Sequence, residues 1–155
     1  EISWFDWDKA AEPKGQALTA FVEKLASLRH RYPVLRSSSF LHGNVELVAG
    51  ILDIAWFDAS GEIVSEGSWN NPEERCLILR RADRSDDGAI HILSSFFNST
   101  SEDRLFRVPP PALPTRLLVD SAAPEAPERD LFGDQLKVAA HSVVLTLSVR
   151  NQGAS

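Results

Sequence analysis

Hydrophobic positions near the start of the chain recur with a helical period. Between Gln16 and Arg31, the apolar side chains of one helical face are Leu18, Phe21, Val22, Leu25 and Leu28. Pro33 ends the pattern, because a proline disfavours helical geometry at the preceding residue and has no N–H to donate. Pro13 and Gly15 separate the segment from the residues before it. The pattern predicts one amphipathic helix over residues 16–31.

After residues 37–39 the hydrophobic period changes to two, which is typical of strands. In ILDIAWFD, residues 51–58, alternate side chains face opposite ways, and we assign Trp56 to the core. The other strand-like runs are RCLILRR, AIHILSSFF, RLFRV, TRLLVD, QLKVAA and SVVLTLSVR. Asp87-Gly88 suits a hairpin turn between the first two of these runs. Residues 121–134 are predicted to form a loop.

The order of these elements predicts the fold class. About seven or eight short strands follow a single helix, which favours a mainly β protein built as an antiparallel β-sandwich or barrel. The hydrophobic period changes near residues 37–40, and we place a boundary there. The chain is therefore divided into residues 1–37, which hold the helix, and residues 38–155, which hold the strands.

Charge and composition exclude several kinds of partner. The net charge of the 155 residues is −6, so nucleic-acid phosphates would repel the chain and no nucleic-acid partner is expected. No apolar run approaches the roughly 20 residues of a membrane helix, so no membrane partner is expected. Cys76 is the only cysteine and can form no internal disulfide. We therefore expect a reducing compartment, the cytoplasm, and a buried thiol at Cys76.

Residue types that carry catalytic chemistry are scattered. The histidines, at positions 30, 42, 91 and 141, show no paired spacing, so no metal site is expected. The sequence has no glycine-rich phosphate loop, no G-x-S-x-G segment and no recognisable triad. We therefore assign no catalytic residue and no cofactor. An indole ring can stack on a sugar ring, and Trp69, in GSWNNPEE, lies in a predicted loop. Trp69 is therefore a candidate for contact with a carbohydrate.

Four segments of the chain together resemble one enzyme family. They are EISWFDW, LASLRHRYPVLRSSSFLHG, DIAWFDASGE and SWNNPEERCLIL, in this order. These segments are similar to the C-terminal end of bacterial glycogen-debranching enzymes, in the isoamylase-like branch of the α-amylase superfamily, glycoside hydrolase family 13. Tyr32 stands where the family usually has a histidine, and Ser68 stands where an acidic residue usually precedes the tryptophan.

This resemblance implies that the chain is part of a larger glycoside hydrolase. The family hydrolyses α-1,6-glucosidic branch points in glycogen or limit dextrin, with retention, on a (β/α)8 barrel. Its three catalytic carboxylates would precede Glu1, so the chain alone is expected to be inactive. Residues 1–37 would be the terminal segment and last helix of that barrel, and residues 38–155 the C-terminal β-sandwich of the α-amylase type. Trp4 would border the cleft and is the second candidate for substrate contact.

The resemblance and the pattern leave three functions open. In the first, the chain is non-catalytic and stabilises the catalytic barrel, which is then its partner. In the second, it is a module that binds α-glucan through exposed aromatic side chains such as Trp69. In the third, it is an oligomerisation domain that self-associates through an exposed helix face. Without the barrel, we expect the apolar stripe of the helix to pack on the sandwich or on a second copy.

Overall fold

Two helices begin the part of the chain that the computed structural model describes, which is residues 6–37 and 39–151. They are α1, Trp7–Ala11, and α2, Pro13–Arg31, and a 3₁₀ turn, Pro33–Leu35, follows them. The predicted helix is confirmed, and it ends before Pro33 as expected. At its C-terminal cap the N–H of Tyr32 donates to the carbonyl of Leu28.

The start of α2 differs from the prediction. The helix begins at Pro13 rather than Gln16, because a proline at the first helical position lacks only a donor that would have no helical partner. Gly15 lies inside the helix rather than before it. A Cβ at this position would overlap the carbonyl oxygens of Lys9 and Ala10 in α1. The glycine therefore permits close packing of the two helices.

The rest of the described chain is mainly β. Its strands are β1, Glu46–Val48; β2, Ile51–Leu52; β3, Ile54–Phe57; β4, Cys76–Arg84; β5, Ile90–Asn98; β6, Arg104–Arg107; β7, Thr115–Asp120; β8, Arg129–Leu131; β9, Gln135–Val138; and β10, Ser142–Arg150. A short helix, α3, Glu66–Trp69, lies between β3 and β4. Strand β8 lies within residues 121–134, so the prediction of a continuous loop there is wrong.

One antiparallel sheet of six strands organises the fold. Its strand order is β3-β4-β5-β10-β7-β8. Strands β6 and β9 form a separate antiparallel pair, and β1 and β2 form another. The predicted hairpin between β4 and β5 is confirmed, and Gly88 in its turn has a φ of +86°. The predicted mainly β, antiparallel fold class is confirmed, and the layered packing is consistent with a β-sandwich.

The β6–β9 pair packs over one face of the six-stranded sheet, which we call the inner face. Phe96 of β5 and Phe106 of β6 are fully buried and meet edge to face, with ring centroids 5.8 Å apart. The buried residues around this pair are Ala55, Phe57, Cys76, Ile78, Leu117, Leu136, Val138 and Val144. Burial of this apolar area is the main favourable term that holds the two layers together.

Helix α2 and the 3₁₀ turn cover part of the opposite, outer face of the sheet. Leu28 of the helix and Val34 of the turn are buried in this second cluster. Its buried sheet residues are Leu93, Leu118, Val119 and Leu147. The Lys24 ammonium adds hydrogen bonds of 2.9 and 2.7 Å to the carbonyls of residues 124 and 126. Phe21 and Leu28 of the helical stripe therefore pack on the sandwich.

Trp56 lies on the outer face and is half-buried, so its assignment to the core is wrong. The buried positions of β3 are Ala55 and Phe57. Asp53 lies just before the strand, continues the same alternation of every second residue and is also buried. The carboxylate of Asp53 accepts hydrogen bonds from three backbone N–H groups, which makes its burial tolerable. Because the polar residue Asp53 occupies a buried position, the sequence pattern predicts the wrong buried face for this segment.

Candidate functional site

Trp69 is presented by the short helix α3, which is anchored to an edge of the six-stranded sheet. The N–H of Val64 donates to the carbonyl of Trp56 at 3.0 Å, so the chain leaves the sheet in a fixed direction. Ser65 caps the helix, since its Oγ accepts the N–H of Ser68 at 3.1 Å. Trp69 closes the helix and is 53% exposed. The prediction that Trp69 lies in a loop is wrong, because the residue lies at the end of a capped helical turn.

The two tryptophans of the sandwich meet on the outer face. The rings of Trp56 and Trp69 are 5.5 Å apart at an interplanar angle of 75°, an edge-to-face arrangement. Leu79 lies opposite Trp56 on the neighbouring strand and is half-buried. We call these three residues the tryptophan patch. The half-buried pair of Leu77 and Phe97 continues the same sheet face. The sheet face beside the tryptophan patch therefore carries several half-buried apolar side chains.

A second apolar surface lies on the exposed side of α2. Leu18 is 64% exposed, Val22 is 55% exposed and Leu25 is 39% exposed, although the sequence places them on the same stripe as buried Leu28. We call Leu18, Val22 and Leu25 the helical apolar face. Together with Ala10 of α1, Leu18 and Val22 line a shallow groove between the two helices. No helix within residues 6–37 and 39–151 is long and apolar enough to cross a membrane.

Groups with reactive chemistry are few in the described structure. Cys76 is buried as expected, burial raises the pKa of its thiol, and its Sγ lies 3.7 Å from the Asn98 side chain. Among the residues that the structure describes, no three His, Cys, Asp or Glu side chains are grouped so that they could hold a metal ion. Trp4, the other predicted substrate contact, lies outside the described residues.

One exposed aromatic residue was missed in the sequence analysis. Phe132 is 88% exposed in the turn between β8 and β9, within the segment DLFGD. Its signal in the sequence is an aromatic residue next to Gly133 and between two acidic residues, in a stretch that reads simply as a polar loop. The arginines that pair with those acidic residues lie on other strands, so only the folded structure shows the grouping.

Comparisons with known proteins identify relatives for about half of the chain. No protein-family model matches it. Glycogen operon protein GlgX homologues of Mycobacterium tuberculosis (strain H37Rv) and Mycobacterium bovis are each 32% identical to it over 80 residues. A glycogen debranching enzyme of Yersinia enterocolitica is 31% identical over 86 residues.

The matches cover only a small fraction of each relative. They cover 51% of this chain for the mycobacterial proteins and 54% for the Yersinia enzyme, but 11% of each relative's own length. The chain thus corresponds to a small part of much longer proteins. The resemblance to the glycogen-debranching enzymes that the four sequence segments indicate is confirmed over about half of the chain.

Proposed function

We propose that this chain is the non-catalytic C-terminal part of a glycogen-debranching glycoside hydrolase and stabilises its catalytic barrel. The whole enzyme would hydrolyse α-1,6-glucosidic branch points in glycogen or limit dextrin. In this proposal residues 1–37 are the terminal segment and last helix of the barrel, and residues 38–155 are a C-terminal sandwich of the α-amylase type. The relatives named above support the enzyme class, and the cytoplasmic location stays a prediction.

The observation that carries the proposal is the division of the apolar stripe of α2 into two sides. Phe21 and Leu28 pack on the sheet, whereas Leu18 and Val22 are more than half exposed. A large apolar side chain contributes about 1.5–3 kcal/mol when it is fully buried. A helix that packs between two domains needs apolar side chains facing each of them. The helical apolar face therefore supports docking against a further domain.

The chemistry of the chain supports a division of labour with that domain. Retaining glycosidases need two carboxyl groups on either side of the scissile bond, one of them a general acid with a raised pKa. Hydrogen bonds from Lys137 and Arg107 instead lower the pKa of Asp103 and Asp134, so neither of these exposed carboxylates suits the general-acid role. The proposal, which rests on the resemblance to debranching enzymes, assigns the nucleophile and the general acid to the barrel.

The test uses the full-length enzyme that contains this segment. Leu18→Asp and Val22→Asp place a charge on the helical apolar face, and we expect each to lower the thermal midpoint and the debranching activity on limit dextrin. Ser27→Asp is the matched control, because Ser27 is exposed and lies half a turn away from Leu18 around α2. Unchanged melting of the Leu18→Asp enzyme would contradict docking through this face. Release of reducing ends by the pure 155-residue chain would contradict a non-catalytic role.

A second candidate function is binding of α-glucan through Trp69. Its support is the exposure of Trp69, whose ring is held by Trp56 in a fixed orientation. If this holds, Trp69→Ala should weaken retardation of the chain in glycogen-containing gels, while Trp69→Phe should keep part of it. Phe40→Ala is the control, since Phe40 is 80% exposed and belongs to a different segment. Equal mobility of the wild-type chain with and without glycogen rules this candidate out.

Self-association through the helical apolar face is the third candidate. The same exposed leucine and valine side chains that suit a barrel would also suit a second copy of the chain. Light scattering of the 155-residue chain over a range of concentrations measures this directly. A mass that rises with concentration for the wild type but not for Leu18→Asp would support it, and a constant monomer mass would exclude it.

A further inference from the structure

Phe132 stands at the tip of a turn that the local sequence fixes. The turn joins β8 to β9, and Gly133 supplies a φ of +84°, which residues with a Cβ rarely adopt. The Phe132 side chain is 88% exposed at this point. Asp130 and Asp134 flank it at two residues on either side. The turn thus presents an aromatic ring with a carboxylate before and after it.

Each of these carboxylates is paired with an arginine from another strand. Asp130 Oδ1 lies 3.2 Å from Arg116 Nε, across the β7–β8 pair. Asp134 Oδ2 lies 2.9 Å from Arg107 Nε, at the end of the β6–β9 pair. The side chains of both pairs are more than half exposed. Guanidinium donors and carboxylate acceptors are therefore available to a ligand on both sides of the ring.

Two surface grooves meet at this turn. The lining of the first groove includes Tyr32, His91, Pro114, Arg116, Asp130 and Phe132. The lining of the second includes Glu62, Arg107, Pro110, Leu113, Phe132 and Asp134. Phe132 lines both grooves, and each groove contains one of the two arginine–aspartate pairs. An extended ligand that follows both grooves would have to cross the Phe132 ring.

We propose that the Phe132 turn and its two grooves bind a linear α-glucan chain. The apolar C–H face of a glucose ring packs on an aromatic ring, and its hydroxyl groups both donate and accept hydrogen bonds. Arginine supplies only donors and a carboxylate only acceptors, so the two pairs together match a polyol. The choice of glucose as the sugar rests on the proposed function.

Charge balance separates this ligand class from anionic ones. The positive charges of Arg107 and Arg116 are matched by Asp134 and Asp130, and Glu62 adds a further negative charge. A phosphate or a nucleic acid would find no net positive charge here, whereas an uncharged sugar needs none.

The experiment is calorimetric titration of the 155-residue chain with maltoheptaose, an unbranched α-1,4-linked oligosaccharide. We expect Phe132→Ala to weaken binding by about tenfold or more, as removal of a central aromatic contact commonly does. Phe132→Trp should restore binding, while Phe40→Ala should leave it unchanged. Since Phe132 is exposed, its variants should keep the wild-type melting temperature, and that measurement separates lost binding from misfolding.

Each other outcome overturns the proposal in a distinct way. Absence of maltoheptaose binding to the wild-type chain overturns it, and so does equal binding of cellohexaose, whose linkages are β-1,4. Loss of binding in Trp69→Ala but not in Phe132→Ala assigns the site to the tryptophan patch instead. None of these results affects the stability and activity measurements on the full-length enzyme, so failure here is distinguishable from failure of the proposed function.

Discussion

The guanidinium of Arg80 lies over the ring of Phe57, with its Cζ 4.6 Å from the ring centroid. Arg80 is 5% exposed and belongs to the inner face of β4. It donates hydrogen bonds to the carbonyls of Pro110, at 2.6 Å, and Gly50, at 3.1 Å. Burial lowers the pKa of Arg80, yet a guanidinium stays protonated in proteins. One buried cation thus ties the six-stranded sheet to the proline-rich segment and to the β1–β2 turn.

Arg80→Ala should lower the free energy of unfolding by about 2–4 kcal/mol, because it leaves a cavity beside Phe57 and removes the two hydrogen bonds that the guanidinium donates. Arg80→Lys should recover only part of this loss, since an ammonium cannot reproduce the planar fork that reaches both carbonyls and stacks on the ring. Urea unfolding followed by tryptophan fluorescence measures both variants. A Lys variant as stable as the wild type would show that the positive charge alone suffices.

Asp53 is expected to make stability depend on pH in the acidic range. Burial alone would raise the pKa of Asp53, but hydrogen bonds from the backbone N–H groups of His42, Ile54 and Gly43 outweigh it, so that the pKa is lowered. The unfolded chain, in which an aspartate has a pKa of about 3.9, then binds the proton more readily than the native one. The stabilisation is present above about pH 4 and is lost as the pH falls through the native pKa.

Asp53→Asn isolates this contribution. The variant keeps the shape of the side chain and loses the charge, so we expect it to be less stable at pH 7 by about 1–3 kcal/mol, the range for hydrogen bonds to a charged group. The difference between wild type and variant should shrink as the pH is lowered from 5 to about 2.5. Urea midpoints at several pH values provide the measurement. A difference that stays constant over this range would assign the effect to packing rather than to the carboxylate.

Leu28 and Leu18 provide a matched pair on one helix. Leu28 is 2% exposed against the sheet, whereas Leu18 is 64% exposed on the helical apolar face. In the 155-residue chain, Leu28→Ala should cost about 2–5 kcal/mol, as other buried leucines do. Leu18→Ala should change stability by no more than about 0.5 kcal/mol. Equal losses for the two variants, measured by urea unfolding, would mean that Leu18 is also covered in solution.

Cys76 should be protected from thiol reagents while the chain is folded. The side chain is buried, and burial raises the pKa of the thiol, so both access and thiolate content are low. Modification by iodoacetamide at pH 8 should therefore be slow in buffer and rapid in 6 M urea. The number of alkylated molecules, read by mass spectrometry over time, tests this. Rapid labelling of the native chain would place Cys76 outside the core.

Some parts of the fold follow directly from local sequence. The period of three to four in α2, the stop at Pro33 and the turn at Gly88 are local effects, so the sequence predicts them well. Which set of alternate residues in a strand is buried is harder to predict. In β3 both sets of alternate residues include large apolar side chains, and Asp53 occupies the buried set, so Trp56 was assigned to the wrong face. Burial of an aspartate depends on backbone donors from distant residues, which no local pattern contains.

The two proposed binding surfaces also differ in what the sequence could predict. The sequence indicated Trp69 because an indole ring can stack on a sugar ring and the residue lies in a predicted loop, but it could not show that Trp56 would meet it across β3 and α3. It gave no reason to consider Phe132, since Arg107 and Arg116 are separated from the DLFGD turn in the chain and reach it only through strand pairing.

The sequence by itself determined the helix, the antiparallel strands and the resemblance to glycogen-debranching enzymes, because these depend on local periodicity and on residue order. The tertiary structure decided which face of each strand is buried, which side of α2 is covered and which charged side chains surround Phe132. The physical reason is that burial and ion pairing depend on residues brought together across the sheet. Their identity is fixed by the strand order β3-β4-β5-β10-β7-β8, not by distance along the chain.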